Sequence, residues 1–299
     1  GESLQARKER GIAKDMTERS GALAQQEPCP VRATLRDTRK LLGGAMSAYR
    51  VVSIALVFFV LLSCQVARSA ENGTVERMRR AAEEGNPEVQ YNLGLMYLQG
   101  RKVSQDRKEA VRWIRKAAEQ GHPRAQHRLA VSYLEGNGVM QDSLEAADWY
   151  RKAAEQGLPR AQYNLGLLYE QGRGVAENAS RAEKWYRRAA EQGFAKAQYN
   201  LGLVYERGRG SVNQDYAQAA EWYRKAAKQG MVRAQHNLGV LYAQGRGIAQ
   251  DEVRAYAWFS LAAAQGSSKA EKNIETLTSR MDPAEIEEAK KLAADLQRN

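Results

Sequence analysis

His122, His127 and His236 are the only imidazoles in a chain of 299 residues, and its two thiols, Cys29 and Cys64, both fall within the first seventy. Metal binding or acid–base catalysis would have to be built from these. His122 and His127 are five residues apart, without the i, i+4 spacing that sets two imidazoles on one helix face. Two thiols can supply neither a disulfide framework nor a thiolate metal site. Nucleophilic chemistry of the Ser–Lys kind has no Ser-x-x-Lys, Ser-Asp-Asn or Lys-Thr-Gly element to rest on. No catalytic residue, metal or cofactor is therefore expected. What does recur is cationic: Arg115-Lys116, Arg151-Lys152, Arg187-Arg188 and Arg224-Lys225, replaced further along by Ser260-Leu261, with Glu119, Glu155 and Glu191 four residues after the first three Arg. Two readings fit this basic ridge. One is a solvated helix face with internal ion pairs worth a few tenths of a kcal/mol each; the other is a salt-sensitive surface for anionic envelope polymer or lipid head groups.

Composition narrows the classes. A hydrophobic content of 43% is enough for a core, and the mean hydropathy of -0.64 excludes a polytopic membrane protein. The net charge is +11, and residues 1–70 hold 11 Lys and Arg against 6 Asp and Glu, leaving 35 against 29 for the rest. An excess of +6 spread over the body lacks the concentration that a nucleic-acid partner requires, so none is expected.

The first seventy residues read as addressing. Twelve residues from Val51 to Leu62, polar only at Ser53, follow Arg50 and precede the small-residue stretch 66–70. This is the layout of a signal peptide over 46–69, cleaved after Ser69, and the run is shorter than the roughly 20 apolar residues of a spanning helix. Leu61-Leu62-Ser63-Cys64 also resembles a lipoprotein box, which makes Cys64 the lipidation candidate. Residues 1–45 carry no periodic apolar face; Met46 is the expected start, with the preceding stretch a translated leader or a disordered arm. Export to the bacterial periplasm, the outer membrane or the medium follows, with a membrane link only through such an anchor or an uncleaved signal.

Beyond residue 70 the chain repeats. The five Trp stand at 113, 149, 185, 222 and 258, with Gly121, Gly157, Gly193, Gly230 and Gly266 on the same beat of 36, and one extra residue around 211–213. Such a period signifies a solenoid of supersecondary units. Within a unit, Val89, Leu93 and Tyr97 mark one apolar helix face, and Ala110, Trp113, Ile114 and Ala117 a second. Each unit is thus two helices: the first opened by Asn86-Pro87 and closed by Gly100, the second capped by Asp106 and its counterparts and ended by Gly121. The Gly-x-Gly pieces at 172–174, 208–210 and 245–247 join two helices, so they are turns and not phosphate cradles. Gly94, Gly166, Gly202 and Gly239 lie inside first helices, where each costs about 1 kcal/mol against Ala; close approach of the paired helix is the expected compensation. The Trp stripe is read as core. The expected fold is all-α, with a capping helix over 70–85, five repeats (86–121, 122–157, 158–193, 194–230 and 231–266) and capping helices over 267–299.

The segments VQYNLGLMYLQGRKVSQDRKEAVRWIRKAAEQG (89–121), AQYNLGLLYEQGRGV (161–175) and AYAWFSLAAAQG (255–266) closely resemble Sel-1-like repeats, relatives of the tetratricopeptide repeat. The resemblance implies a right-handed superhelix of antiparallel helix pairs whose concave face binds other proteins, commonly as an adaptor and, in secreted bacterial members, in envelope or host-facing roles. In the tetratricopeptide pattern the residue before the Leu-Gly pair faces the groove. Here it is Asn92, Arg128, Asn164, Asn200 and Asn237, preceded by Tyr91, His127, Tyr163, Tyr199 and His236. A ladder of amides, each donor and acceptor, suits an extended peptide; alternatively the Asn bond neighbouring helices and the rings pack between repeats. Arg128 and the two His break the pattern and are the better clues to specificity, a peptide carboxylate being the natural partner of Arg128. Some cysteine-rich secreted relatives bind or hydrolyse β-lactams, but the repeat cysteines are missing here. The resemblance thus implies a monomeric scaffold for protein or extended peptide and not an enzyme.

Overall fold

The structure, a computed structural model, describes residues 73–298. The leader-like segment 1–45, the signal peptide 46–69 and Cys64 lie outside the described residues. After a first helix, α1 (73–83), the chain alternates α2 (Pro87–Gln99), α3 (Arg107–Glu119), α4 (Pro123–Glu135), α5 (Ser143–Glu155), α6 (Pro159–Gln171), α7 (Ala179–Glu191), α8 (Ala195–Arg207), α9 (Tyr216–Lys228), α10 (Val232–Gln244), α11 (Glu252–Ala264), α12 (Ser268–Thr278) and α13 (Pro283–Arg298). No strand occurs among the described residues. Helices α2/α3 through α10/α11 form five pairs, and each second helix also packs on the first helix of the next pair. Every unit from Pro87 onward therefore buries its apolar faces against both neighbours, as a solenoid requires.

Local signals set the boundaries. Asn86 accepts from the Glu88 and Val89 amides, and Asp106 from those of Lys108 and Glu109. Asp142, Asn178, Asp215 and Asp251 repeat the second cap. The Asn86 cap is not repeated in the same way: the imidazole of His122 takes its place in repeat 2, and Leu158, Phe194 and Met231 supply no side-chain cap. Each first helix ends on a left-handed glycine, such as Gly172 at φ 64°. The amide of the residue capping the second helix then bonds back to a carbonyl in the last turn of the first, Asp106 to Tyr97 at 3.0 Å for example. That clamp folds the pair antiparallel.

The core combines small and large residues. Ala110, Ala117, Ala153, Ala189 and Ala226 are fully enclosed, as are Leu93, Leu129, Leu165, Leu201 and Leu238. The glycines inside the first helices have the expected reason: a Cβ on Gly166 would lie 2.6 Å from the Tyr186 ring, and on Gly239 2.7 Å from Phe259. Trp113, Trp149, Trp222 and Trp258 are buried, whereas Trp185 is only half-buried. Arg77 is exposed in α1 where a Trp would be enclosed, and Glu275 is exposed in α12. Helix α13 lies against α11, with Ala289 in the core and Ile286 and Leu296 packed on it.

Candidate functional site

One ladder escaped the sequence reading. Gln90, Gln126, Gln162, Gln198 and Gln235 are 4–5% exposed. Each donates through Nε2 to a carbonyl of the preceding second helix, Ala82, Ala118, Ala154, Ala190 and Ala227, at 2.9–3.2 Å. Its Oε1 accepts from the Gln at the end of its own second helix, Gln120, Gln156, Gln192, Gln229 and Gln265, at 2.7–2.9 Å. Five buried amides, both ends satisfied, thus tie three helices at every joint. The available signal was identity: this position is Gln in all five repeats, while its neighbours vary.

The ten residues predicted for the binding face lie together, one ring and one amide or guanidinium per repeat, all half-buried. Most amides reach back to the preceding repeat. Asn164 Nδ2 donates to His127 Nε2 at 3.1 Å, and its amide also reaches the Tyr150 hydroxyl. Asn200 stands against the phenols of Tyr163 and Tyr186, and Asn237 against those of Tyr199 and Tyr223. His236 donates through Nδ1 to Asn237 Oδ1 at 3.2 Å and accepts at Nε2 from Asn273 at 3.2 Å, a tautomer assigned from these partners. Asn92 bonds within its own helix, to Glu88 at 3.4 Å. Tyr91 stacks on the His122 ring with centroids 5.0 Å apart. His122 Nδ1 accepts the Ala125 amide, so Nε2–H points to Glu88 Oε2 at 2.7 Å, and that bond holds the Glu88 carboxyl below the usual range. The Asn side chains therefore bond mostly neighbouring rings, not helix backbone. Burial of His127, reinforced by Arg160 and Arg128, lowers its pKa to about 4, and burial pushes Tyr150 up to about 12.

Acids complete this face in repeats 3 and 4. The Tyr186 hydroxyl donates to Glu170 Oε2 at 2.6 Å, and Arg209 Nη1 donates to Glu170 Oε1 at 3.3 Å. Tyr223 donates to Glu206 in the same register. Burial first, then the neighbouring carboxylate, pushes both phenols well above their ordinary value. Glu170 and Arg209 line an open pocket of about 260 Å³ beside Tyr186 and Glu177.

The basic ridge divides into two rows. The first residue of each pair crosses to the next repeat: Arg115 donates to the Tyr133 hydroxyl at 2.8 Å, Arg187 to Tyr205 at 2.9 Å and Arg224 to Tyr242 at 3.4 Å, with Arg151 bonded likewise to Tyr169. Arg79 does the same from α1, to Tyr97 at 2.6 Å. The second residue lies over its own Trp: Lys116, Lys152, Arg188 and Lys225 stand 4.4, 3.9, 4.6 and 3.9 Å from the ring centroids of Trp113, Trp149, Trp185 and Trp222. Glu183, 4% exposed, accepts from Arg187 Nε at 2.7 Å and so joins one of these crossings. In repeat 5 the pair becomes Ser260-Leu261, and Leu261 shares a pocket lining with Leu296 of α13. The ridge turns apolar where the terminal helix covers it.

Among the described residues no cluster of His, Cys, Asp or Glu could hold a metal ion, and no helix is long and apolar enough to cross a membrane. The Sel1 repeat model matches residues 87–122, 123–158, 159–194, 195–231 and 232–267. Among solved structures, a Sel1 repeat protein from Oxalobacter formigenes is 39% identical over 69% of this chain, with a TM-score of 0.63. A protective antigen of uropathogenic Escherichia coli with an SLR fold is 34% identical over 74%, with a TM-score of 0.58. The chain spans 59% and 56% of the length of those two proteins. No curated protein matches it. Proteins built from these repeats act in general as scaffolds for protein interaction. On five matched units in unbroken succession, the chain belongs to the Sel1 repeat family.

Proposed function

We propose that this protein is an exported, monomeric, non-catalytic scaffold that binds another polypeptide along the concave face formed by its first helices, using Asn164, Asn200 and Asn237 with the rings beside them. The observation that supports this is the half-buried row of amides and rings, one set per repeat. A carboxamide has two N–H donors and two acceptor lone pairs, so an amide such as Asn164, tied to the His127 and Tyr150 rings, keeps capacity for a peptide backbone. Rings that are already packed lose little side-chain entropy on contact. The ridge fits an envelope-polymer surface less well, because its eight cations already serve Tyr and Trp neighbours. Export rests on the signal-like segment 46–69; the intact mass of protein recovered outside the cytoplasm tests it, and a mature chain that keeps residues 1–45 would contradict it.

Affinity capture from a periplasmic extract tests the face. An Asn164→Ala, Asn200→Ala variant should lose the partners recovered by the wild type, while Lys152→Gln, Lys225→Gln should keep them, with helicity monitored for both. Equal recovery by the Asn variant would remove the face assignment. A chromogenic β-lactam turnover assay should give no signal.

A further inference from the structure

Repeats 3 and 4 place an acid against the second-helix tyrosine: Glu170 on Tyr186, further held by Arg209, and Glu206 on Tyr223. In repeat 2 the same register reads differently. Tyr150 stands where Tyr186 and Tyr223 stand, and Arg173, in the same Gly-x-Gly turn, where Arg209 stands. The acid is missing, since Leu134 occupies the position of Glu170 and Glu206. An extra cation enters instead, Arg128 in place of the ladder Asn. Its guanidinium makes no ion pair among the described residues, and its enclosed Nε has no hydrogen-bond partner. The His127 ring lies edge-on to Tyr150, with centroids 5.4 Å apart, and is bonded to Asn164. Arg160 and Arg128 bear on His127, and Arg128, Arg173 and Glu135 on the Tyr150 hydroxyl. Two arginines, Arg128 and Arg173, thus bear on the phenol, with one exposed carboxylate, Glu135, near it, and a third, Arg160, bears on the neighbouring His127 ring.

We infer that repeat 2 is a receptor for a carboxylate of the bound polypeptide, which takes between Arg128, Arg173 and the Tyr150 hydroxyl the place that Glu170 and Glu206 fill from within the chain. This rests on the polypeptide-binding reading of the first-helix face and adds to it the chemistry of one subsite. Charge-assisted hydrogen bonds from guanidinium to carboxylate are roughly twice as strong as neutral ones and are directional. The subsite therefore sets the register of the ligand along an otherwise repetitive face.

The test uses the whole chain and a displayed library of random dodecapeptides, followed by synthetic peptides in Glu/Gln pairs and with free or amidated ends. Wild type should enrich an acidic residue at one position and prefer Glu over Gln by about tenfold, the discrimination carried by about 1.4 kcal/mol. Leu134→Glu, which supplies the internal acid of repeats 3 and 4, and Arg128→Asn, which restores the ladder residue, should each bring that preference within about twofold while other enriched positions persist; if Leu134→Glu does not fold, Arg128→Asn decides. Preference for a free over an amidated end, lost in the same variants, would identify the chain terminus as the source. Selected peptides with no acidic preference, or a preference surviving in the variants, would overturn the subsite and leave the face reading standing. Selection of no peptide at all would overturn both.

Discussion

His127 should titrate far from an ordinary imidazole, and stability should follow it. Its ring lies against Tyr150, accepts from Asn164 Nδ2 and is flanked by Arg160 and Arg128. Protonation would turn that acceptor into a donor facing an N–H and add a cation beside two others. Burial, with the two arginines, lowers the folded pKa from 6.5 to about 4. A depressed imidazole means that the unfolded chain binds the extra proton first. Stability is therefore complete above pH 6.5 and declines as pH falls toward 4. At 1.36 kcal/mol per pH unit, the loss between pH 7 and pH 5 has a ceiling of about 2 kcal/mol, and partial solvent access reduces it to about 1 to 2. His127→Tyr, the residue found at the equivalent positions 91, 163 and 199, should abolish that component. Urea midpoints of both proteins at pH 7 and pH 5, with an NMR titration of the His127 ring, measure it. An imidazole titrating near 6.5, or the same pH dependence in His127→Tyr, would refute the reasoning.

Gly166→Ala should destabilise by about 1 to 2 kcal/mol despite better helix propensity, because its Cβ meets a buried Tyr186 ring anchored to Glu170; thermal unfolding reads this. The reverse change, Ala130→Gly opposite the less tethered Tyr150, should cost only its propensity term of about 1 kcal/mol. Arg187→Met leaves the enclosed Glu183 carboxylate without its partly solvated cation and should cost about 2 to 3 kcal/mol. Adding Glu183→Ala, the residue at positions 147 and 220, should recover most of that in a double-mutant cycle. Gln198→Leu removes one bond to the Ala190 carbonyl and one from Gln229, a loss of about 2 kcal/mol by denaturant unfolding, with hydrogen exchange fastest at the joint of repeats 3 and 4.

The repeat and its helix pairs were legible because period and packing share a cause: five Trp and five terminal glycines recur since each unit solves the same burial problem. Gly166 could be read as a close approach because a glycine inside a helix has a local cost that must be met elsewhere. The Gln162 and Asn164 amides, two residues apart on one helix, are chemically alike; the one difference in the sequence is recurrence, Gln in all five repeats against an Asn row broken by Arg128. The position of the preceding second helix is what turns Gln162 inward. Leu158, Phe194 and Met231 set the same limit: they open repeats 3 to 5 without the side-chain cap that Asn86 supplies in repeat 1. Glu170, Glu206 and Glu183 stand at positions occupied by apolar residues in other repeats, so a reading keyed to recurrence passed over them.

The most direct test is side-chain NMR of the full chain with a selected dodecapeptide bound. Five indole N–H signals report the second-helix stripe, and the carboxamide signals of Asn164, Asn200 and Asn237 report the first-helix face. Large shifts of those amides with quiet indoles are the predicted result. Shifted indoles with unmoved Asn amides would place the ligand on the other side of the repeats and contradict the account.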